Sequence, residues 1–134
     1  MDVRALLLDT HVLVWLTLGV QRLSARARET MENAEALLVS AASLYEIDVK
    51  RRRLYAADAE LRALPDDLLR ALPARGLELL SISPEVAWRA ANLEMKHQDP
   101  WDRILVAQAA SLGVPLVTCD GDIHRQATGV TLVW

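Results

Sequence analysis

A single cysteine, Cys119, is all the thiol the chain carries. That excludes an intramolecular disulfide and a Cys-based zinc cage, and it suits a reducing compartment, so the cytoplasm is the expected location. Basic charge is also scarce. Fifteen Lys and Arg stand against 18 Asp and Glu, giving a formal charge of −3 and a pI near 5.6. A protein that grips nucleic acid with a broad basic surface needs clustered Lys and Arg, so any nucleic-acid role must be local. Long apolar runs are missing too. Asp9 and His11 interrupt the N-terminal one, and no small-residue cleavage site with a basic flank follows, so no membrane segment is expected. Gly-x-Gly-x-x-Gly, P-loop and Gly-x-Ser-x-Gly patterns do not occur, which removes the best support for a nucleotide cofactor or a serine hydrolase. Repeats, low-complexity tracts and linkers are likewise absent.

What remains is ordinary globular material: 134 residues, 52% hydrophobic and 25% charged. This is enough to bury one core, and residues 1–134 read as a single domain. The apolar run 3–8 ends at Asp9, as a strand buried on both faces would, and 12–18 reads as a helix. Ser24 is a good N-cap for a helix towards residue 36, followed by a short strand at 37–39 and a helix over 42–53. The segment 56–74 suggests two short helices divided at Pro65. A strand at 77–82 leads to Ser83-Pro84, a start signal for a helix reaching about residue 95. Asp99-Pro100 repeats that signal, Gly113 stops the helix, and strands at 115–118 and 130–134 close the pattern. Such alternation predicts an α/β fold with a mostly parallel sheet and helices on both faces.

Four acids fall at corresponding points of this pattern. Each alone has a plain reading: Asp9 as an N-cap, Glu46 as the far half of a Ser43-x-x-Glu capping box, Asp102 as an acid in the first turn of a helix, Asp120 as a turn residue. Asp99, before Pro100, is an almost ideal N-cap. Taken together, however, Asp9, Glu46 and Asp120 all follow strands, and ligands of open parallel sheets bind outside the strands' carboxyl ends. Carboxylates gathered there would repel by roughly 4 kcal/mol per pair at about 4 Å in an effective dielectric near 20. No helix cap offsets that, so a cation is expected among them. With hard oxygen donors and no Cys or His cluster at zinc spacing, Mg²⁺ or Mn²⁺ is the natural ion, and phosphodiester hydrolysis the natural chemistry.

Leu-Leu-Leu-Asp-Thr-His at 6–11, Ser-Leu-Tyr-Glu-Ile at 43–47, Asp-Pro-Trp-Asp-Arg-Ile-Leu-Val-Ala-Gln-Ala at 99–109 and Val-Thr-Cys-Asp at 117–120 together resemble PIN-domain nucleases. The likeness is greatest to the VapC toxins of bacterial toxin–antitoxin pairs and extends over essentially the whole chain. It implies a three-layer α/β/α domain acting as a Mg²⁺-dependent RNA endonuclease, with Mn²⁺ as a possible substitute. It also implies a homodimer and a small antitoxin whose C-terminal tail occupies the acidic groove. Asp9, Glu46 and Asp102 match the family's three most typical acids and Asp120 the fourth; Asp99 matches an acid of one branch and is kept as an accessory ligand. Asp122 has no clear counterpart. Thr10 and Thr118 match hydroxyl positions that would orient a ligand or its water. Departures occur at Tyr45, where Trp is frequent, at Asp48, where an apolar residue is usual, and at Arg53, near an expected Gly.

The basic run from Lys50 to Arg53 follows Glu46 on one helix, so Lys50 and Arg51 are candidates for RNA phosphates, and Arg103 joins them beside Asp102. The plain alternative is a solvated helix end with a Glu46–Lys50 pair, and a structural ion pair for Arg103. His97 reads as a surface or groove residue rather than a ligand. The Trp residues read as packing, with Trp101 the one exception of interest for base stacking. Two other functions compete with the nuclease: a catalytically silent α/β module whose acidic groove receives a basic partner tail, and a Mg²⁺ phosphatase or phospho-acceptor regulator. His11, where the commonest phosphatase motif needs a second Asp, weakens the latter.

Overall fold

The computed structural model describes residues 4–53 and 58–134. Along the chain run β1 (Ala5–Leu8), α1 (Thr10–Leu18), α2 (Ala25–Glu32), β2 (Ala36–Ser40), α3 (Ala41–Arg53), α4 (Ala59–Ala63), α5 (Leu68–Ala74), β3 (Leu77–Leu80), α6 (Pro84–Ala91), α7 (Pro100–Leu112), β4 (Leu116–Val117), α8 (Gly121–Gln126) and β5 (Leu132–Val133). The expected starts at Val3 and Ala56 lie outside the described residues.

All the strand pairings are parallel, in the order β3-β2-β1-β4-β5. β1 is central: Leu7 registers with Leu38 on one side and Leu116 on the other. The run Leu6-Leu7-Leu8 is wholly buried because a strand's side chains alternate between faces and here both faces are covered. Leu6 and Leu8 pack with Val12, Leu13, Ala27, Ile47 and Leu72, drawn from α1, α2, α3 and α5. Leu7 points the other way, against Leu105, Val106 and Ala109 of α7 and Ile123 of α8. α6 lies outside α7, joined through Val86, Ala90 and Ala107. The result is the three-layer arrangement expected from the alternating pattern.

The helix starts follow their caps. The hydroxyls of Ser24 and Ser83 accept from the N–H groups of Ala27 and Val86, and Gly113 (φ 67°) ends α7 in the left-handed conformation that costs glycine little. Four local readings change. α2 stops at Glu32, short of residue 36. Ser40, not Ser43, accepts from the first turn of α3 (Ala42 N–H, 3.0 Å), so Ser43 and Glu46 lie inside the helix and form no capping box. α6 stops at Ala91 rather than near 95, and the carbonyls at and beyond its end, those of Ala90, Ala91, Leu93 and Met95, accept from Arg103. Asp120 caps α8, a six-residue helix with only Ile123 buried and thus no apolar periodicity to announce it.

Candidate active site

The strand order reverses direction at β1: the chain steps outwards to β2 and β3, then returns to β4 and β5 on the other side. In open α/β sheets the crevice at such a switch, beyond the carboxyl ends of the strands, is where ligands sit. Asp9 leaves β1 there, and Thr118 and Asp120 leave β4. Asp9 occupies the N-cap position of α1, yet its side chain makes no capping bond. Instead it is 3% exposed and accepts from the Thr118 hydroxyl at 2.6 Å. Thr118 in turn accepts from the Asp120 N–H at 3.0 Å, so one buried hydroxyl fixes both acids. Burial pushes the Asp9 carboxyl above its ordinary range and the Glu46 charge adds to this, while the Thr118 bond and His11 oppose it.

Asp102 sits in the first turn of α7, below its cap. Asp99 is that cap, its Oδ1 accepting from the N–H groups of Trp101 (2.9 Å) and Asp102 (3.3 Å). The Asp102 carboxyl is pushed up to about 6, first by burial and then by the charges of Asp9, Asp99 and Asp120, against the lowering effect of a bond to His97. That bond, His97 Nε2 to Asp102 Oδ2, measures 2.6 Å, and the other ring nitrogen lies 3.7 Å from Asp122 Oδ2. His97, Asp102 and Asp120 each bring one ligand atom to within 4.8 Å of the others.

Glu46 approaches from α3. One turn earlier Ser43 shares a 2.9 Å hydroxyl bond with Thr10, which ties α3 to α1 and uses the Thr10 hydroxyl structurally. Glu46 is 6% exposed and its Oε2 accepts from Lys50 Nζ at 2.5 Å. Burial would lower the Lys50 pKa, but the bond and charge of Glu46, joined by Asp99 and Asp102, hold it above the usual value. Lys50 is thus a cation facing the cluster.

Two of the proposed phosphate contacts are corrected. Arg51 spends its guanidinium on Asp48 Oδ1 (2.9 Å) and on the carbonyls of Pro65 and Asp66 (2.8 Å each), clamping α3 to the turn before α5. Arg103 donates all five N–H groups to the carbonyls of Ala90, Ala91, Leu93, Met95 and His97. It closes the end of α6 and shapes the following turn, with no donor left for RNA. His97, read from the sequence as a surface or groove residue, lies in contact with the cluster. Its only signal was its place five positions before Asp102, and its reach into the cluster depends on that Arg103-held turn. Trp101 packs against the exposed Tyr45 (ring centroids 5.1 Å apart), bridging α7 and α3 beside the acids.

Mutually repelling carboxylates with the His97 imidazole beside them make a donor set that fits a divalent cation, and the Lys50 ammonium facing them partly balances their charge without one. Among the described residues, no helix is long and apolar enough to cross a membrane.

Residues 6–129 match the PIN domain family. Ribonuclease VapC22 of Mycobacterium tuberculosis is 35% identical over 133 residues, which is 96% of this chain and 97% of that protein. Among solved structures, DNA-bound VapBC from Salmonella typhimurium superposes with a TM-score of 0.67 at 18% identity over 96% of both chains. VapBC2 from Rickettsia felis, bound to a promoter DNA fragment, gives 0.65 at 14% identity, again over 96% of both. The structural matches carry the fold, and the sequence match carries the kinship: the chain belongs to the PIN-domain family and is a homologue of the VapC ribonucleases.

Proposed function

We propose that residues 1–134 form one PIN domain that cleaves RNA endonucleolytically as the toxin of a toxin–antitoxin pair, with Asp9, Glu46, Asp102 and Asp120 holding Mg²⁺ and Asp99 accessory to them. The observation that carries this reading is the meeting of Asp9, Asp102 and Asp120 at the sheet's switch point: Asp102 and Asp120 bring ligand atoms within 4.8 Å of each other, and Thr118 ties Asp9 beside Asp120. Burial first, and then the charges of Asp9, Asp99 and Asp120, push the Asp102 carboxyl up to about 6. Asp9 and Glu46 are buried and Asp102 and Asp120 half-buried, and carboxylates assembled at such electrostatic cost mark a site built for a ligand. The cation would neutralise phosphate charge and lower the pKa of a water molecule at the scissile bond. The residues supply the rest. Thr118 fixes the Asp9 carboxylate, Asp99 caps the helix that presents Asp102, and Lys50 balances Glu46 in the absence of substrate and is free to meet a phosphate once a cation takes its place. The Tyr45–Trp101 pair offers an aromatic surface for an unstacked base.

The VapBC toxin–antitoxin matches support an antitoxin as partner; a basic tail is the natural occupant of the acidic groove when the toxin is silent, and the family resemblance adds a homodimer acting in the cytoplasm. Asp9→Asn and Asp102→Asn are expected to keep the fold, read by circular dichroism, while abolishing Mg²⁺-dependent RNA cleavage and growth arrest on expression. Undiminished cleavage by either variant would remove these acids from the mechanism. Tight binding of a basic peptide by wild-type protein that shows no turnover after antitoxin is stripped away would instead favour the silent binding module.

A further inference from the structure

His97 sits where a surface histidine would not. Its Nε2 is 2.6 Å from Asp102 Oδ2, its side chain is 18% exposed, and one of its nitrogens lies within 4.8 Å of ligand oxygens from both Asp102 and Asp120. The segment carrying it is held from two sides: its N–H donates to Gln126 Oε1 at 2.7 Å, and its carbonyl accepts from Arg103 at 3.1 Å. Asp122 faces the opposite ring nitrogen at 3.7 Å, beyond hydrogen-bond length but close enough for ionic attraction. Histidines that ligate metals almost always present their second nitrogen to a carboxylate, a carbonyl or water, which fixes the tautomer and strengthens the donor. Asp122, whose Oδ1 is bonded by Arg125 and whose Oδ2 faces His97, stands on the side of the ring away from Asp102 and Asp120, where a small approach would complete that form.

We infer that His97 is a nitrogen ligand of the cation site, with Asp122 as the carboxylate behind it. The inference rests on the nuclease reading for the existence of the site, and deepens it by adding a donor. An imidazole beside carboxylates changes ion preference. Mg²⁺ gains little from nitrogen, whereas affinity for divalent transition ions rises along the series from Mn²⁺ through Co²⁺. The site should therefore bind Co²⁺ and Mn²⁺ well above Mg²⁺, a bias that an all-carboxylate site would show more weakly. Asp122, which had no counterpart in the sequence motif, then has a function.

The test uses the full chain freed of antitoxin and loaded with MnCl₂. Pulsed electron paramagnetic resonance should show a ¹⁴N coupling to Mn²⁺. His97→Gln, which preserves a hydrogen-bond donor for Asp102 but offers no imidazole, should abolish it. A His11→Gln, His124→Gln double variant should keep it. Calorimetric titration should show Co²⁺ affinity falling about tenfold or more in His97→Gln with Mg²⁺ affinity nearly unchanged, and a smaller loss of Co²⁺ affinity in Asp122→Asn. Absence of the ¹⁴N coupling in the wild-type protein, its persistence in His97→Gln, equal losses of Co²⁺ and Mg²⁺, or no Mn²⁺ binding at all would each overturn the inference. RNA cleavage is scored separately with Asp102→Asn, so a nuclease with an oxygen-only site and a protein that is no nuclease give different results.

Discussion

Asp102 and His97 impose opposite demands on the same few ångströms. The carboxyl is raised to about 6, chiefly by burial among other acids, and the imidazole is raised by its bond to Asp102 and by the surrounding carboxylates. Both shifts have the same sign in linkage. Between about pH 4 and 6 the native protein holds a proton on Asp102 that the unfolded chain has released, and His97 likewise keeps its proton to higher pH when folded. Their stabilising contribution is thus fully present at low pH and is lost as pH rises through their folded values. The cation-free protein should be harder to unfold with urea at pH 5 than at pH 7.5 as far as these groups decide it, while affinity for Mg²⁺, which needs the deprotonated carboxylate, should fall steeply below pH 6. A calorimetric series from pH 5 to 8 checks both signs. Flat Mg²⁺ affinity across that range would mean that Asp102 is not a ligand.

At the scale of elements, the turn between α6 and α7 concentrates the dependence of the site on one side chain. Arg103→Ala leaves five carbonyls without their planar donor. The expected cost is on the order of 2–4 kcal/mol in urea denaturation, since bonds to charged donors are worth more than neutral ones and several are lost together. Arg103→Lys should recover little, because an ammonium cannot reproduce the fork. The same variants should release His97 from Asp102 and give protein with the low Co²⁺ affinity of His97→Gln. A variant of native stability would show that the turn holds its shape without Arg103. This turn also marks where sequence ceased to be informative. Strands β1 and β2, the caps at Ser24, Ser83 and Asp99, and the glycine stop of α7 were legible because each rests on local chemistry. The lengths of α2 and α6, the cap of α3 at Ser40, and the short α8 were not, since a helix of six residues with one buried side chain leaves no periodic trace. Arg51 and Arg103 differ from the sequence expectation for another reason: apart from the Arg51–Asp48 pair, their partners are backbone carbonyls, which no side-chain pattern reveals.

Over the whole molecule the acids were legible as a set, but their adjacency was not: alternation implies a parallel sheet without giving β3-β2-β1-β4-β5, and only that order puts Asp9 beside Thr118 and Asp120. The fold therefore collects like charge at the carboxyl edge of the sheet in a chain already at −3, with Lys50 facing it. Sites of this kind lower the stability of the empty protein, and removing the charge commonly raises it at the expense of function. Anything that binds only the native state stabilises it by mass action, by about 2.7 kcal/mol at a hundredfold excess over Kd, or roughly 10 °C in Tm for a domain of this size. Saturating Mg²⁺ or Mn²⁺ should produce a shift of that order in differential scanning fluorimetry, whereas NaCl at equal ionic strength should give only a minor one. The Asp9→Asn, Asp102→Asn double variant should melt above the cation-free wild type and no longer respond to the divalent ion. If the double variant melts lower and still shifts with Mg²⁺, the acids hold the fold together rather than a cation, and the stabilising site lies elsewhere.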